Sequence, residues 1–258
     1  MTLGDLDTSI LLPAFAAGML VLATHVPLGG AVLGRGIVFL DLAIAQIAGL
    51  GVVIAHGLAG EGTGAASAWI TQLGAVGMAL LGALLLHWRE RRSPGRQEAV
   101  IGVAFVAAAC AALLLMSRDP HGAEHLQDLL VGQILWSTWA GLLPLAAVTG
   151  LVLAAWFGLG LRRSPLGFYL LFAVTITASV QVVGVYLVFA SLIVPALAAG
   201  EWPVRAFGIG ALGYGLGLAG SALFDLPAGA AIVLALIATA MAFAGLVQAR
   251  GSSASTPK

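Results

Sequence analysis

The sequence predicts an all-α membrane protein, a polytopic helical bundle with about eight transmembrane helices. Of its 258 residues, 60% are hydrophobic and 9% are charged, whereas about 25% of the residues in a typical soluble domain are charged. The hydrophobic residues form eight stretches, each close to the roughly 20 residues that a helix needs to cross a bilayer. So little polar surface cannot cover a water-soluble globule, and the composition therefore excludes a soluble protein.

Hydropathy gives the order of the predicted spans along the chain. We predict a single transmembrane domain over residues 1–250 and a short disordered tail at 251–258. Membrane lipid surrounds such a domain, and the net charge of zero gives no support for a nucleic-acid partner. The predicted spans lie at 10–33, 37–58, 66–88, 97–116, 137–160, 166–196, 204–222 and 228–248.

Basic residues predict the orientation of the spans. Seven of the eleven lysine and arginine residues follow the first, third and fifth spans. Because positively charged loops tend to stay in the cytoplasm, these three loops are predicted to be cytoplasmic, which places the N-terminus outside. The seven residues are Arg35, Arg89, Arg91, Arg92, Arg96, Arg162 and Arg163.

The position of the only lysine excludes one kind of ATP-binding site. Lys258 is the last residue of the sequence, and a Walker A phosphate loop needs a lysine followed by serine or threonine. If ATP drives this protein, a separate chain must hydrolyse it. We therefore predict that the chain is not an enzyme.

Four polar side chains inside the predicted spans are candidates for a substrate path. They are His25, Asp41, Gln46 and Gln181. A charged side chain in a membrane span is costly, which makes it a functional hypothesis by default. Structural alternatives remain, because Asp41 could pair with the nearby Arg35 and Gln181 could form a hydrogen bond between helices.

The segment between the fourth and fifth spans contains candidate metal ligands. His121 and His125 are four residues apart, so they would share one face of a helix, and Asp128 follows closely. Imidazole and carboxylate groups are typical ligands of Zn²⁺. The pattern predicts a metal-attracting site on the outer side of the membrane, and an ordinary polar loop is the alternative.

Glycine spacing predicts close helix contacts in two spans. Gly30 and Gly34 form a small-xxx-small pair, which lets two helices approach closely. Gly208, Gly210 and Gly213 fit the G-x-G-x-x-G pattern of dinucleotide-binding proteins, but that motif requires a preceding strand. In an apolar span these glycines indicate a packing face for a neighbouring helix instead.

Two segments resemble characteristic segments of the ABC-3 family, the permease subunits of bacterial zinc and manganese ABC importers. One is the stretch 179–200, SVQVVGVYLVFASLIVPALAAG, and the other is SALFDLPAGAAIVL at the end of the seventh span. Their order and spacing agree with those of the family. The matching residues of the first are Gln181, Val182, Val183, Gly184, Val185, Leu187, Val188, Leu192, Ile193, Pro195 and Ala196.

The resemblance implies a function and a set of partners. The chain would be the permease subunit of an ABC transporter in the bacterial plasma (inner) membrane, importing zinc or manganese as a homodimer. A separate cytoplasmic ATPase would use ATP, and a periplasmic or extracellular metal-binding protein would deliver the metal. The metal is then the transported substrate, and no bound cofactor is expected.

The sequence departs from the family pattern at two places. In an ungapped alignment the intramembrane Asp of the family falls on Leu42 and its His on Gln46, while Asp41 takes the place of a Gly. The cytoplasmic segment that follows the fifth span in the family, and docks on the ATPase, is missing around residues 161–165. Two alternatives therefore stay open, an ATPase-independent secondary metal transporter and a non-transporting membrane partner.

Overall fold

The computed structural model describes residues 8–59, 65–92, 95–117, 130 and 132–253. Nine α-helices account for almost all of the regular structure in these ranges, and the described residues contain no strand. The predicted all-α fold is thereby confirmed. The helices are α1 (Thr8–Arg35), α2 (Leu40–Ala59), α3 (Ala65–Arg92), α4 (Gln97–Met116), α5 (Trp139–Leu153), α6 (Pro165–Val183), α7 (Val185–Ala199), α8 (Pro203–Phe224) and α9 (Ala228–Ser253).

Eight of these helices are long and apolar enough to cross a membrane, which confirms the predicted number of spans. They are all the helices except α7, which has 15 residues. α5 reaches the required length because a π-helical turn, Ala154–Gly158, continues it to give a span of 20 residues. Leucine and valine side chains project from the bundle surface, as expected for helices in contact with lipid.

The sixth predicted span, 166–196, is not one continuous helix. The chain breaks at Gly184, where φ is 79° and ψ is 164°, a combination that is open almost only to glycine. α6 packs mainly against α3 and α2, whereas α7 packs against α1, α8 and α9. The glycine thus directs two halves of one apolar stretch to different neighbours.

The predicted packing face on α8 is found at Gly210 and Gly213, and Gly217 extends it, whereas Gly208 has open space where a Cβ atom would be. A Cβ atom at Gly213 or Gly217 would collide with α9, at Leu236 and Ile232 respectively, and one at Gly210 would collide with Leu22 of α1. These three glycines lie on successive turns of the helix, so α8 fits closely between two partners.

The predicted contact at Gly30 and Gly34 is not found in the described part of the chain. Both positions have open space where a Cβ atom would be. The close approach occurs one residue earlier, where a Cβ atom on Gly29 would overlap the backbone carbonyl of Leu192 in α7. The small residues of α1 therefore do serve packing, but on a different face.

The connection from α5 to α6 is short. It consists of residues 159–164 and contains one turn of 3₁₀-helix, Leu161–Arg163. The Ser164 side chain then accepts a hydrogen bond from the backbone N–H of Gly167 and begins α6. No longer segment intervenes at this point of the chain, as the sequence predicted.

Candidate functional site

A cavity of about 710 Å³ opens between α2, α4, α6, α7 and α9, and α3 contributes one further lining residue, Ala75. α2 contributes most of one side with six residues, and α7 contributes much of the other with five. On each helix most of the lining residues are three or four positions apart, so they lie on one face of the helix. The α2 residues are Leu42, Ala45, Gln46, Ala48, Gly49 and Val52, and the α7 residues are Val185, Tyr186, Phe189, Ala190 and Val194.

The wall of the cavity is apolar and carries no charged side chain among the described residues. Its polar side chains are Gln46, Gln181 and Tyr186, and the other lining residues are aliphatic, phenylalanine or glycine. Gln46 and Gln181, two of the predicted path residues, therefore line the same cavity although they are far apart in sequence. Their role in transport stays a prediction.

The departure from the family pattern lies on this wall. Leu42 and Gln46, which align with the intramembrane Asp and His of the family, are one helical turn apart on α2 and both face the cavity. The two positions therefore share one face of α2. In this chain a leucine and an amide occupy these positions.

The break at Gly184 forms part of the same wall. Val180 and Gln181 line the cavity just before the break, and Val185 and Tyr186 line it just after. The Gly184 N–H donates to the Val180 carbonyl at 2.9 Å, and the Val188 N–H donates to the Gly184 carbonyl at 3.0 Å. The backbone hydrogen bonds of α6 and of α7 thus both extend to Gly184.

The segment before α5 packs directly onto this break. Gly132, with φ 72°, lies so close that a Cβ atom on it would overlap the backbone of Val183 and Gly184. Leu130 lines the cavity from the same segment. The bend between α6 and α7 is therefore held in place by a second stretch of chain.

Tyr186 is a cavity residue that the sequence did not single out. Its side chain is 56% exposed in the single chain and its phenol adds a third polar group to the wall. Its spacing of five residues from Gln181 would place it on another face of a continuous helix. Only the break at Gly184 brings the two to one cavity, so no periodicity in the sequence could have indicated it.

His25 is buried in α1 and does not line the cavity. The side chain is fully buried, and its Nδ1 lies 2.9 Å from the Val21 carbonyl oxygen. A carbonyl can only accept, so Nδ1 carries the proton and donates. Nε2 has no hydrogen-bond partner in the described part of the chain.

Asp41 is also buried and is not among the residues that line the cavity. It lies in the first turn of α2, where the helix dipole favours a negative charge, and neither of its carboxylate oxygens has a hydrogen-bond partner among the described residues. The alternative of a pair with Arg35 is not found, because the Arg35 guanidinium lies over the Phe168 ring, 4.1 Å from its centroid.

A polar cluster next to Asp41 joins the predicted cytoplasmic ends of four helices. Gln97 of α4 donates from Nε2 to the Leu86 carbonyl of α3 at 3.0 Å and to the Tyr169 hydroxyl of α6 at 3.1 Å. Glu98 accepts from the backbone N–H of Phe39, at the start of α2, at 3.2 Å. These hydrogen bonds connect α4 to α3, to α6 and to the start of α2.

The predicted metal ligands of the outer loop cannot be placed. His121, His125 and Asp128 lie outside the described residues. Within the described residues, no group of three or more histidine, cysteine, aspartate or glutamate side chains could hold a metal ion. The loop site therefore stays a prediction.

A bundle with eight membrane spans and a cavity between its helices is the architecture of a multi-pass membrane protein. The chain belongs to the ABC 3 transport family, whose sequence model matches residues 7–158 and 151–248. This confirms the family predicted from the sequence, and with it the permease class of the chain. The match comes in two pieces that overlap at residues 151–158, just before the short connection to α6.

Solved structures share the fold. A chain of PsaBC from Streptococcus pneumoniae, determined in complex with a Fab, has a TM-score of 0.70 and 20% sequence identity, over 93% of this chain and 92% of that chain. An inward-facing structure assigned to the metal-chelate type of ABC transporters has a TM-score of 0.52 and 13% identity, over 95% of this chain and 80% of that chain. None of the curated proteins compared with the sequence matches it.

Proposed function

We propose that this chain is the membrane-spanning permease subunit of a bacterial ABC importer for a divalent metal, zinc or manganese. The observation that carries the proposal is the family match over nearly the whole chain, together with a cavity that faces the two α2 positions where the family has its intramembrane Asp and His. The fold shared with an ABC transporter of the metal-chelate type supports a metal-importing permease.

The energy source in this proposal is a separate cytoplasmic ATPase. The sequence has no lysine that could complete a Walker A loop, so ATP acts through the partner. The basic turn at Arg162 and Arg163 lies between two spans on the predicted cytoplasmic side, and it is the natural place for the partner to bind. No resident cofactor is proposed, since the metal is the cargo.

The remaining partners follow from the family resemblance. A periplasmic or extracellular binding protein delivers the metal to the outer side, and a second copy of the permease completes the path as a homodimer. The assembly is proposed to lie in the plasma (inner) membrane.

A pull-down from the native membrane tests this proposal. We expect the tagged, detergent-solubilised chain to bring down an ATPase at near-stoichiometric amounts, with ATP hydrolysis stimulated by Zn²⁺ or by Mn²⁺. Purification without any ATPase would contradict the proposal and favour an ATPase-independent metal transporter.

A charge reversal locates the contact within the same experiment. Arg162→Glu combined with Arg163→Glu should reduce the recovered ATPase several-fold, because the variant places negative charge at the proposed contact. Arg205→Glu is the matched control, since Arg205 lies on the predicted outer side, over the Trp202 ring. Equal losses with both variants would exclude a specific contact at residues 162 and 163.

A further inference from the structure

The described lining of the cavity offers a metal ion no side-chain ligand of the kind that zinc or manganese proteins use. Zn²⁺ is normally bound by thiolate, imidazole or carboxylate, and Mn²⁺ prefers carboxylate, carbonyl and water oxygens. The described wall contains no cysteine, histidine, aspartate or glutamate. Asp41 and His25, the two predicted path residues whose side chains could bind a metal, are not among the residues that line the cavity.

A bare divalent ion is poorly suited to such a wall. Moving a charge from water into apolar surroundings costs many kcal/mol unless charged or polar groups compensate it. Here the compensation is limited to two neutral amides and one phenol. An ion would have to keep its whole water shell against aliphatic side chains.

The size and lining of the cavity are those of a site for an organic molecule. Its volume of about 710 Å³ lies within the roughly 300–1,000 Å³ typical of small-molecule pockets, which are mostly apolar and contain a few polar groups that fix orientation. Gln46 and Gln181 each offer an amide donor and an amide acceptor, and Tyr186 offers a hydroxyl. These groups suit the carboxylate, amide and amine groups of a small chelator.

We propose that the permease carries its metal as an electroneutral complex with a small organic chelator. The chelator supplies the metal ligands and the cancelling charge that the described wall of the cavity lacks. Gln46 and Gln181 bind the polar groups on the outside of the complex, and the aliphatic wall contacts its carbon skeleton. The proposal rests on the proposed function, and it names the form of the cargo.

Uptake at a constant concentration of free metal tests the proposal. Cells that lack the chain and cells complemented with it are given radioactive zinc with increasing L-histidine, which forms a neutral zinc bis-histidine complex. Total zinc is raised in parallel so that free Zn²⁺ stays fixed. We expect chain-dependent uptake to increase with the concentration of the complex, and labelled histidine to enter with the zinc at about two per metal.

The other outcomes separate the two proposals. Chain-dependent uptake that follows free Zn²⁺ and ignores the complex would overturn the chelate inference and leave the metal importer intact. No chain-dependent uptake of either form, with the same result for Mn²⁺, would overturn the proposed function together with the inference.

Substitution of the two amides tests their place in the site. Gln46→Leu and Gln181→Leu should each lower uptake of the complex about tenfold, the factor expected when a buried polar group of the cargo loses a hydrogen bond of about 1.4 kcal/mol. Gln72→Leu makes the same change on α3 at a residue that does not line the cavity. Unchanged uptake in both cavity variants, at equal protein levels in the membrane, would remove these residues from the site.

A gain of ligands should change the cargo. Leu42→Asp combined with Gln46→His places a carboxylate and an imidazole one turn apart on the wall, and we expect the double variant to shift uptake at least tenfold from the complex towards free Zn²⁺. Uptake of the complex that is unaffected by these two substitutions would contradict a path through this cavity.

Discussion

Gly29 lies where α1 and α7 are in close contact. Its missing side chain leaves room for the backbone carbonyl of Leu192, and a backbone atom cannot rotate away as a side chain can. The neighbouring Gly30 is exposed and has open space around it. The two glycines are thus neighbours in the same helix, but only Gly29 is in close contact with another helix.

Gly29→Ala should therefore destabilise the protein, by about 1–3 kcal/mol for an overpacked contact. Gly30→Ala is the matched control and should be neutral or stabilising by up to about 1 kcal/mol, because alanine favours a helix more than glycine does. The thermal unfolding midpoint of the detergent-solubilised chain measures both. Equal midpoints for the two variants would mean that α1 and α7 do not make this contact.

Polar residues in the spans could be recognised from the sequence, but their surroundings could not. Asp41 and Leu42 are adjacent on α2, so their side chains differ by about 100° around the helix axis, and the structure places Leu42 at the cavity and Asp41 in the interior. Which of the two faces the cavity depends on how α2 packs against α3 and α4. That packing rests on contacts distant in sequence, which no local pattern records.

At the level of elements, the helix break at Gly184 decides the shape of the cavity. The stretch that contains it is uniformly apolar and is therefore predicted as one long span. Nothing in a hydropathy pattern marks a single glycine as a break, since glycines are frequent in membrane helices. The span order could be predicted, whereas the division into α6 and α7 required the backbone dihedrals.

Gly184→Ala tests the importance of the break. An alanine in this region of φ and ψ costs about 1–3 kcal/mol, so we expect a lower thermal midpoint and reduced uptake, because Gln181 and Tyr186 would lose their common orientation. Gly150→Ala in α5, where a Cβ atom meets nothing within 4 Å, is the control and should not lower the midpoint. A variant at position 184 as stable and active as the wild type would show that the chain does not need this conformation.

At the scale of the whole molecule, orientation follows from the basic residues and can be measured directly. Cys110 is the only cysteine, so Cys110→Ala gives a background for single cysteine substitutions. In that background Glu201→Cys should react with a membrane-impermeant maleimide in spheroplasts, and Arg163→Cys should react only after permeabilisation. The reverse labelling would place the connection 159–164 outside and remove it as an ATPase contact.

The sequence predicted the class of fold and the number of spans from hydropathy. It predicted the family from the two segments that resemble the ABC-3 family. It also predicted the short connection after the fifth span. The cavity could not be predicted, since its wall combines residues from Leu42 to Ile237. A homodimer remains a proposal that rests on the family resemblance.

The uncharged wall of the cavity has a consequence for how binding of the cargo depends on pH. Histidine is the side chain that normally changes charge between pH 5 and 8, and the described lining of the cavity contains neither histidine nor a carboxyl group. Occupancy of the cavity should therefore be the same in mildly acidic and in neutral surroundings. A response of uptake to pH would then arise where the cargo is assembled, delivered or energised, because the described lining holds no histidine or carboxyl group that changes charge in this range.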